Sequence, residues 1–170
     1  MPPSNSFFEQ LVKAYANDLF RYAFWLSKDR DIAEDLVQET FSRAWKSIDK
    51  LKDENAAKAW LITILRRENA RRFEKYQPDL VELEDALMAD KAQYEPDEKM
   101  ERQLLYQAIL SLEPQFKEPL LLQVQWGFSG EEIAEQLDLK LATVNTRLFR
   151  ARQLLKKRLT QSESAKRLIG

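Results

Sequence analysis

Residues 141–159 read LATVNTRLFRARQLLKKRL. Val144, Leu148, Ala151 and Leu155 recur at steps of four, three and four, the spacing of one face of an α-helix. From residue 140 to 158 there are seven Lys and Arg and no Asp or Glu, although the whole chain holds 27 bases against 28 acids. A nearly neutral chain thus gathers its positive charge on one amphipathic helix. Just upstream, SGEEIAEQL opens with Ser129 and carries Glu132 three residues later, the pattern of a capping box. DLK follows as a three-residue turn. A short helix, a tight turn and a basic helix with an apolar inner face are the parts of a helix-turn-helix. Thr143, Thr146, Arg147 and Arg150 project from one side of the basic helix, with Asn145, Phe149, Arg152 and Lys156 beside them. Arg can bond guanine edges or phosphates, and Thr hydroxyls can bond either. Bases near a helix C-terminus also complement its dipole and solvate it. For the helix alone that reading is as good; the capped helix and the turn in front of it favour DNA.

The composition narrows the function further. The chain has 170 residues, 44% hydrophobic, enough for one medium domain or two small ones. It contains no Cys and no His. Disulfides, thiolate catalysis and Cys-ligated metals are thereby excluded, and the commonest general base and metal ligand are missing. Three glycines cannot build a glycine-rich phosphate loop. No catalytic residue, metal site, cofactor or small-molecule substrate is expected. MPPSNSFFEQ lacks the basic start and apolar core of a signal peptide, and no apolar run is long enough to cross a membrane. The cytoplasm is the expected location.

Outward from the helix-turn-helix, the apolar spacing stays helical and no strand is expected. A first helix over roughly 7–26 carries Phe8, Leu11, Val12, Tyr15, Leu19, Tyr22, Ala23 and Leu26. A second, about 31–48, carries Ile32, Leu36, Val37, Phe41, Ala44, Trp45 and Ile48. A third starts near Asn55 with Trp60, Leu61, Ile64 and Leu65 and ends in RRENARRFEK. Between residues 79 and 101 nine acids stand against two lysines, with two prolines in the surrounding stretch, which reads as a solvated tether. Leu105, Ala108, Ile109 and Leu112 form the face of the next helix. Pro114 marks a break, and Pro119 is expected in the first turn of the helix after it. The fold class is all-α: two small helical domains, at 7–76 and 101–160, joined by an acidic linker at 77–100.

Three further constellations have competing readings. Asp31, Asp35 and Glu39 repeat at four-residue spacing with Glu34 alongside; local physics favours a solvated acidic face over a docking surface. The aromatics Phe41, Trp45 and Trp60 fit apolar stripes and read as core. Arg66, Arg67, Arg71, Arg72 and Lys75 form either a phosphate track or a soluble helix end.

At this point three segments, in order, resemble bacterial sigma factors of the extracytoplasmic-function (ECF) type in the sigma-70 family. DIAEDLVQETFSRAWK resembles the segment that grips the polymerase clamp, AWLITILRRENARR the segment that melts and reads the −10 element, and GFSGEEIAEQLDLKLATVNTRLFRAR the helix-turn-helix that reads the −35 element. The resemblance implies a promoter-specificity subunit that binds core RNA polymerase and helps open the duplex. It turns Asp31, Glu34, Asp35, Gln38 and Glu39 into the contact with the beta-prime clamp helices. It makes KLKDEN the loop that captures a flipped base, and gives Lys52, Asn55, Trp60, Arg66, Arg67 and Arg71 to the −10 element. Thr143, Asn145, Thr146, Arg147, Phe149 and Arg150 fall to the −35 element. Further implied partners are the beta flap and an anti-sigma factor. The chain departs from the family pattern at Asp138 and Ala142, often glycine; at Lys140, usually proline; at Asn145, usually Lys or Arg; and at Arg67, frequently Asn. Two rivals are a helix-turn-helix regulator acting without polymerase, and a helical adaptor that binds only proteins.

Overall fold

The computed structural model describes residues 5–73 and 96–169, and every described element is helical. The chain divides into two compact units. Of the acidic stretch expected at 77–100, residues 77–95 lie outside the described residues. Residues 96–100 already belong to a helix, because Pro96 suits the opening of a helix, where its missing N–H costs nothing.

The first unit holds α1 (Asn5–Ser27), α2 (Arg30–Lys46) and α3 (Ala57–Phe73), each packed against the other two. Asp29 caps α2, its carboxylate accepting from the Ile32 N–H at 3.1 Å. The capping is worth about 1 kcal/mol. Leu19, Tyr22, Ala23, Phe24 and Trp25 of α1 are all buried, so the end of this helix is enclosed on every side rather than along one stripe. From α2 the buried residues are Ala33, Leu36, Thr40 and Ala44. This stripe is rotated from the expected one, because small residues, not the largest apolar ones, let α2 approach its neighbours closely. Thr40 enters the core by donating its hydroxyl to the Leu36 carbonyl at 2.6 Å. Trp45, expected in the core, is 45% exposed and instead packs edge-on against Phe8, whose ring also meets Phe41. The helix stops at Lys46; Ile48 belongs to a separate 3-10 turn, Ile48–Lys50. Leu11, Ile48 and Ala57 form a second cluster, flanked by Phe8, Leu51 and Trp60, that anchors the loop ahead of α3. Another 3-10 turn, Glu54–Ala56, leads directly into that helix, so the helical run starts near Asn55 as expected and becomes α-helical at Ala57.

The second unit holds α4 (Pro96–Leu110), α5 (Pro114–Val124), α6 (Gly130–Leu137) and α7 (Leu141–Ile169). On α4, Ala108 and Leu110 are buried while Leu105, expected on the inner face, is 37% exposed. Pro114 opens α5 as expected, but Pro119 lies inside that helix, not in its first turn. It removes one intrahelical hydrogen bond; its ring is fully buried beside Leu120, Leu121 and Leu122, which offsets the loss. Gly127, at φ +71°, reverses the chain after α5, and a side chain there would be strained. Arg158 ties α7 back to the end of α4 by donating to the Ser111 hydroxyl at 2.6 Å.

Candidate nucleic-acid and protein interfaces

The helix-turn-helix is built as its residue types dictate. Ser129 accepts from the Glu132 N–H, and the Glu132 carboxylate accepts from the Ser129 N–H, both at 3.1 Å, so the capping box closes reciprocally. Helix α6 ends on Asp138 in the left-handed region, φ 54° and ψ 52°. The Asp138 N–H donates to the Glu135 carbonyl and the Leu139 N–H to the Ala134 carbonyl, the pair of bonds of a Schellman motif. Asp138, Leu139 and Lys140 are the whole turn. Ile133 of α6 and Val144, Leu148 and Ala151 of α7 are buried, and Leu155 is half-buried, so the expected inner stripe faces the core.

The outer surface of α7 separates into two strips. Thr143, Thr146, Arg147 and Arg150, with Ala142, line a concavity completed by Gln115 and Phe116 of α5. Phe149, 62% exposed, lies apart from them, with Gln153, Lys156 and Lys157 along its side. Arg147 is half-buried, whereas Asn145, Thr146 and Arg150 are exposed. The Thr146 hydroxyl donates to the Ala142 carbonyl at 2.9 Å and keeps its lone pairs for an incoming donor. The Asn145 amide oxygen lies beside Gly130, where an added Cβ would stand 3.5 Å from it. Arg152 donates to Gln123 of α5, so it braces α7 rather than facing outward unpaired.

In the first unit, Asp31, Glu34, Asp35 and Gln38 are exposed along α2 and Glu39 is half-buried. Several of these carboxylates are already engaged. Glu34 pairs with Arg30 at 3.4 Å, Glu39 with Arg43 at 3.1 Å, and Asp35 with Arg72 of α3 at 3.6 Å. Lys52 and Asn55 are exposed in the loop ahead of α3, where Asp53 accepts from the Asn55 N–H at 2.9 Å and fixes the turn. Trp60 is half-buried beneath that loop against the Leu11–Ile48–Ala57 cluster, as expected of a core aromatic. Arg67 and Arg71 are exposed on one strip of α3, and Arg66 is half-buried. One cross-helix ion pair, Asp35 with Arg72, therefore joins the acidic face of α2 to the arginines of α3.

The sequence reading missed Glu68. Only 7% exposed, it pairs with Arg43 of α2 at 2.5 Å and with Arg71 at 3.5 Å. A signal was present: Glu68 continues the stripe of Leu61 and Leu65 at steps of four and three, where a carboxylate is out of place unless paired. Among the described residues no group of three or more His, Cys, Asp or Glu could hold a metal, and no helix is long and apolar enough to cross a membrane.

Two family models match the chain: Sigma-70 region 2 over residues 11–83 and Sigma-70 region 4 over residues 102–155. The RNA polymerase sigma factor YlaC of Bacillus subtilis is 31% identical over 167 residues, covering 94% of this chain and 96% of the relative. The ECF RNA polymerase sigma-E factor of Haemophilus influenzae is 30% identical, with 89% of this chain and 87% of the relative covered. Among solved structures, the sigma factor RpoE from Bartonella quintana, in complex with the anti-sigma factor NepR, superposes with a TM-score of 0.72 at 27% identity, covering 90% of this chain and 96% of that one. CnrH, in complex with the cytosolic domain of CnrY, shares the fold with a TM-score of 0.67 at 23% identity over 91% of this chain and 88% of its own.

Proposed function

The chain belongs to the sigma-70 family, in its ECF group, and from that premise we propose how its residues divide the work of promoter recognition. A sigma factor binds core RNA polymerase and directs it to promoters for transcription initiation, and this is the function of the protein. The division by residue is our reading. The unit at 7–76 docks polymerase through α2 and engages the −10 element through α3 and the loop before it. The unit at 101–160 reads the −35 element. In this reading Asp31, Glu34, Asp35, Gln38 and Glu39 meet basic residues on the beta-prime clamp helices. Lys52, Asn55, Trp60, Arg66, Arg67 and Arg71 serve the −10 strand. Thr143, Asn145, Thr146, Arg147, Phe149 and Arg150 enter the major groove at −35, while the beta flap holds the second unit. The protein supplies no catalytic group, acts in the cytoplasm and is held inactive by an anti-sigma factor, the class of partner that accompanies the similar RpoE structure.

The observation that carries this reading is the capped α6, three-residue turn and basic α7 in the unit matched by region 4, with the apolar stripe of α7 inward and Asn145, Thr146, Phe149 and Arg150 outward. Near-neutral net charge suits a subunit that should not bind DNA strongly alone, since acids limit nonspecific phosphate affinity. A dimeric regulator or a protein-only adaptor leaves the region 2 match at residues 11–83 without a purpose. The test is reconstitution: purified protein and core polymerase are given a pool of randomised promoters. Initiation at a shared pair of spaced elements is expected. No specific initiation, with core polymerase active under another sigma factor, refutes the reading.

A further inference from the structure

Glu68 has no role in the division of labour above, yet it is the most buried carboxylate among the described residues. Burying a charge is expensive unless it is paired, and Glu68 is paired twice, with Arg43 of α2 at 2.5 Å and Arg71 of α3 at 3.5 Å. Arg43 also donates from Nε to Glu39 at 3.1 Å, so Glu39, Arg43, Glu68 and Arg71 form one continuous chain of charges. One end, Glu39, lies on the face assigned to polymerase. The other, Arg71, lies on the face assigned to the −10 element, with its side chain largely open to solvent. A long Arg side chain carries much rotamer entropy, and an ion pair to a buried, immobile carboxylate removes part of it before DNA arrives.

Resting on that assignment of the two faces, we propose that Glu68 is a positioning residue for promoter opening: its carboxylate, itself held in place by Arg43 of α2, holds Arg71 toward the −10 strand. When a polymerase cation takes over Glu39, Glu68 still retains Arg43, so the link between α2 and α3 survives docking. Glu68 touches no DNA in this scheme; its effect passes through Arg71.

The test compares holoenzymes carrying wild-type protein, Glu68→Gln, Glu68→Leu, Arg71→Ala and the Glu68→Leu/Arg71→Ala double variant. The DNA is a promoter selected from a randomised pool by the wild-type holoenzyme, used as a duplex and with its −10 region already unpaired by mismatches. Glu68→Leu replaces the buried carboxylate by an apolar side chain suited to a buried position, and folding is monitored by thermal unfolding and by affinity for core polymerase. Open-complex formation on the duplex should fall about tenfold in both Glu68 variants, the factor for losing one charge-assisted contact. The defect should shrink on the unpaired template, and the double variant should be no worse than Arg71→Ala alone. Wild-type opening by a folded Glu68→Leu holoenzyme, or additive losses in the double variant, overturns the proposal. If wild-type protein selects no promoter at all, the assignment of the faces fails, and the proposal fails with it.

Discussion

The acidic face of α2 offers a direct test of polymerase docking, and the structure sets the choice of substitution. Charge reversal of Asp35 and Glu39 looks harmless when only their exposure is considered. But Asp35 lies 3.6 Å from Arg72, and Glu39 lies 3.1 Å from Arg43. A lysine at either position would lose an attraction and gain a repulsion. At such distances a fully hydrated pair is worth about 1 kcal/mol before screening, and about 0.5 kcal/mol after screening and side-chain entropy. Double reversal therefore costs roughly 2 kcal/mol in folding, enough to confuse a binding assay. The neutral triple variant Asp31→Asn/Asp35→Asn/Glu39→Gln only removes the two pairs, at about 1 kcal/mol, which lowers the melting temperature of a small domain by about 4–8 °C. Its effect on docking should be larger. Three carboxylates facing a basic surface, at about 1 kcal/mol each, correspond to roughly a hundredfold weaker association with core polymerase. The assay is a fluorescence-anisotropy titration of labelled protein with core polymerase at two salt concentrations, with thermal unfolding in parallel. Asp31→Asn alone breaks neither of these two ion pairs; it should weaken docking and lower the melting temperature only by the loss of its interaction with the N-terminal dipole of α2, about 0.5 kcal/mol. If the triple variant binds core polymerase within threefold of wild type, α2 does not present its acidic face to polymerase.

Two further outcomes are expected in the second unit. Asn145→Arg should change the preferred −35 sequence at one base pair by about 1–3 kcal/mol of discrimination, since Asn pairs with adenine and Arg with guanine. Arg147→Ala should instead weaken all promoters alike and reduce the salt dependence by about one counterion; transcription of a randomised −35 library checks both, and the reverse result reassigns the reading strip of α7. Asp138→Gly should stabilise the second unit by about 0.5–1 kcal/mol in urea unfolding, because glycine adopts the left-handed region without the Cβ clash; a loss of stability would show that the Asp138 side chain supports the turn.

The all-α class, the helix-turn-helix and its inner stripe were written locally, and so they were legible. A capping box needs only Ser129 and Glu132 at the right spacing, and a recognition helix needs only its own period and charge. The apolar stripe of Val144, Leu148 and Ala151 faces inward because its spacing puts these residues on one side of α7. Other features depended on how closely helices approach and how far each is rotated, which no window of sequence encodes. Trp45 belongs by spacing to the stripe of α2, yet Ala33, Thr40 and Ala44 occupy the interface because small side chains permit close packing, and the indole is turned outward. Pro119 sits mid-helix because the surrounding core buries its ring; local rules alone would have placed it in a first turn. The ion pairs of Asp35 with Arg72 and of Glu68 with Arg43 join residues 37 and 25 positions apart. Their charges were visible in the sequence, but only the packing of α2 on α3 decided that the acidic and basic faces would be tied together through a buried carboxylate.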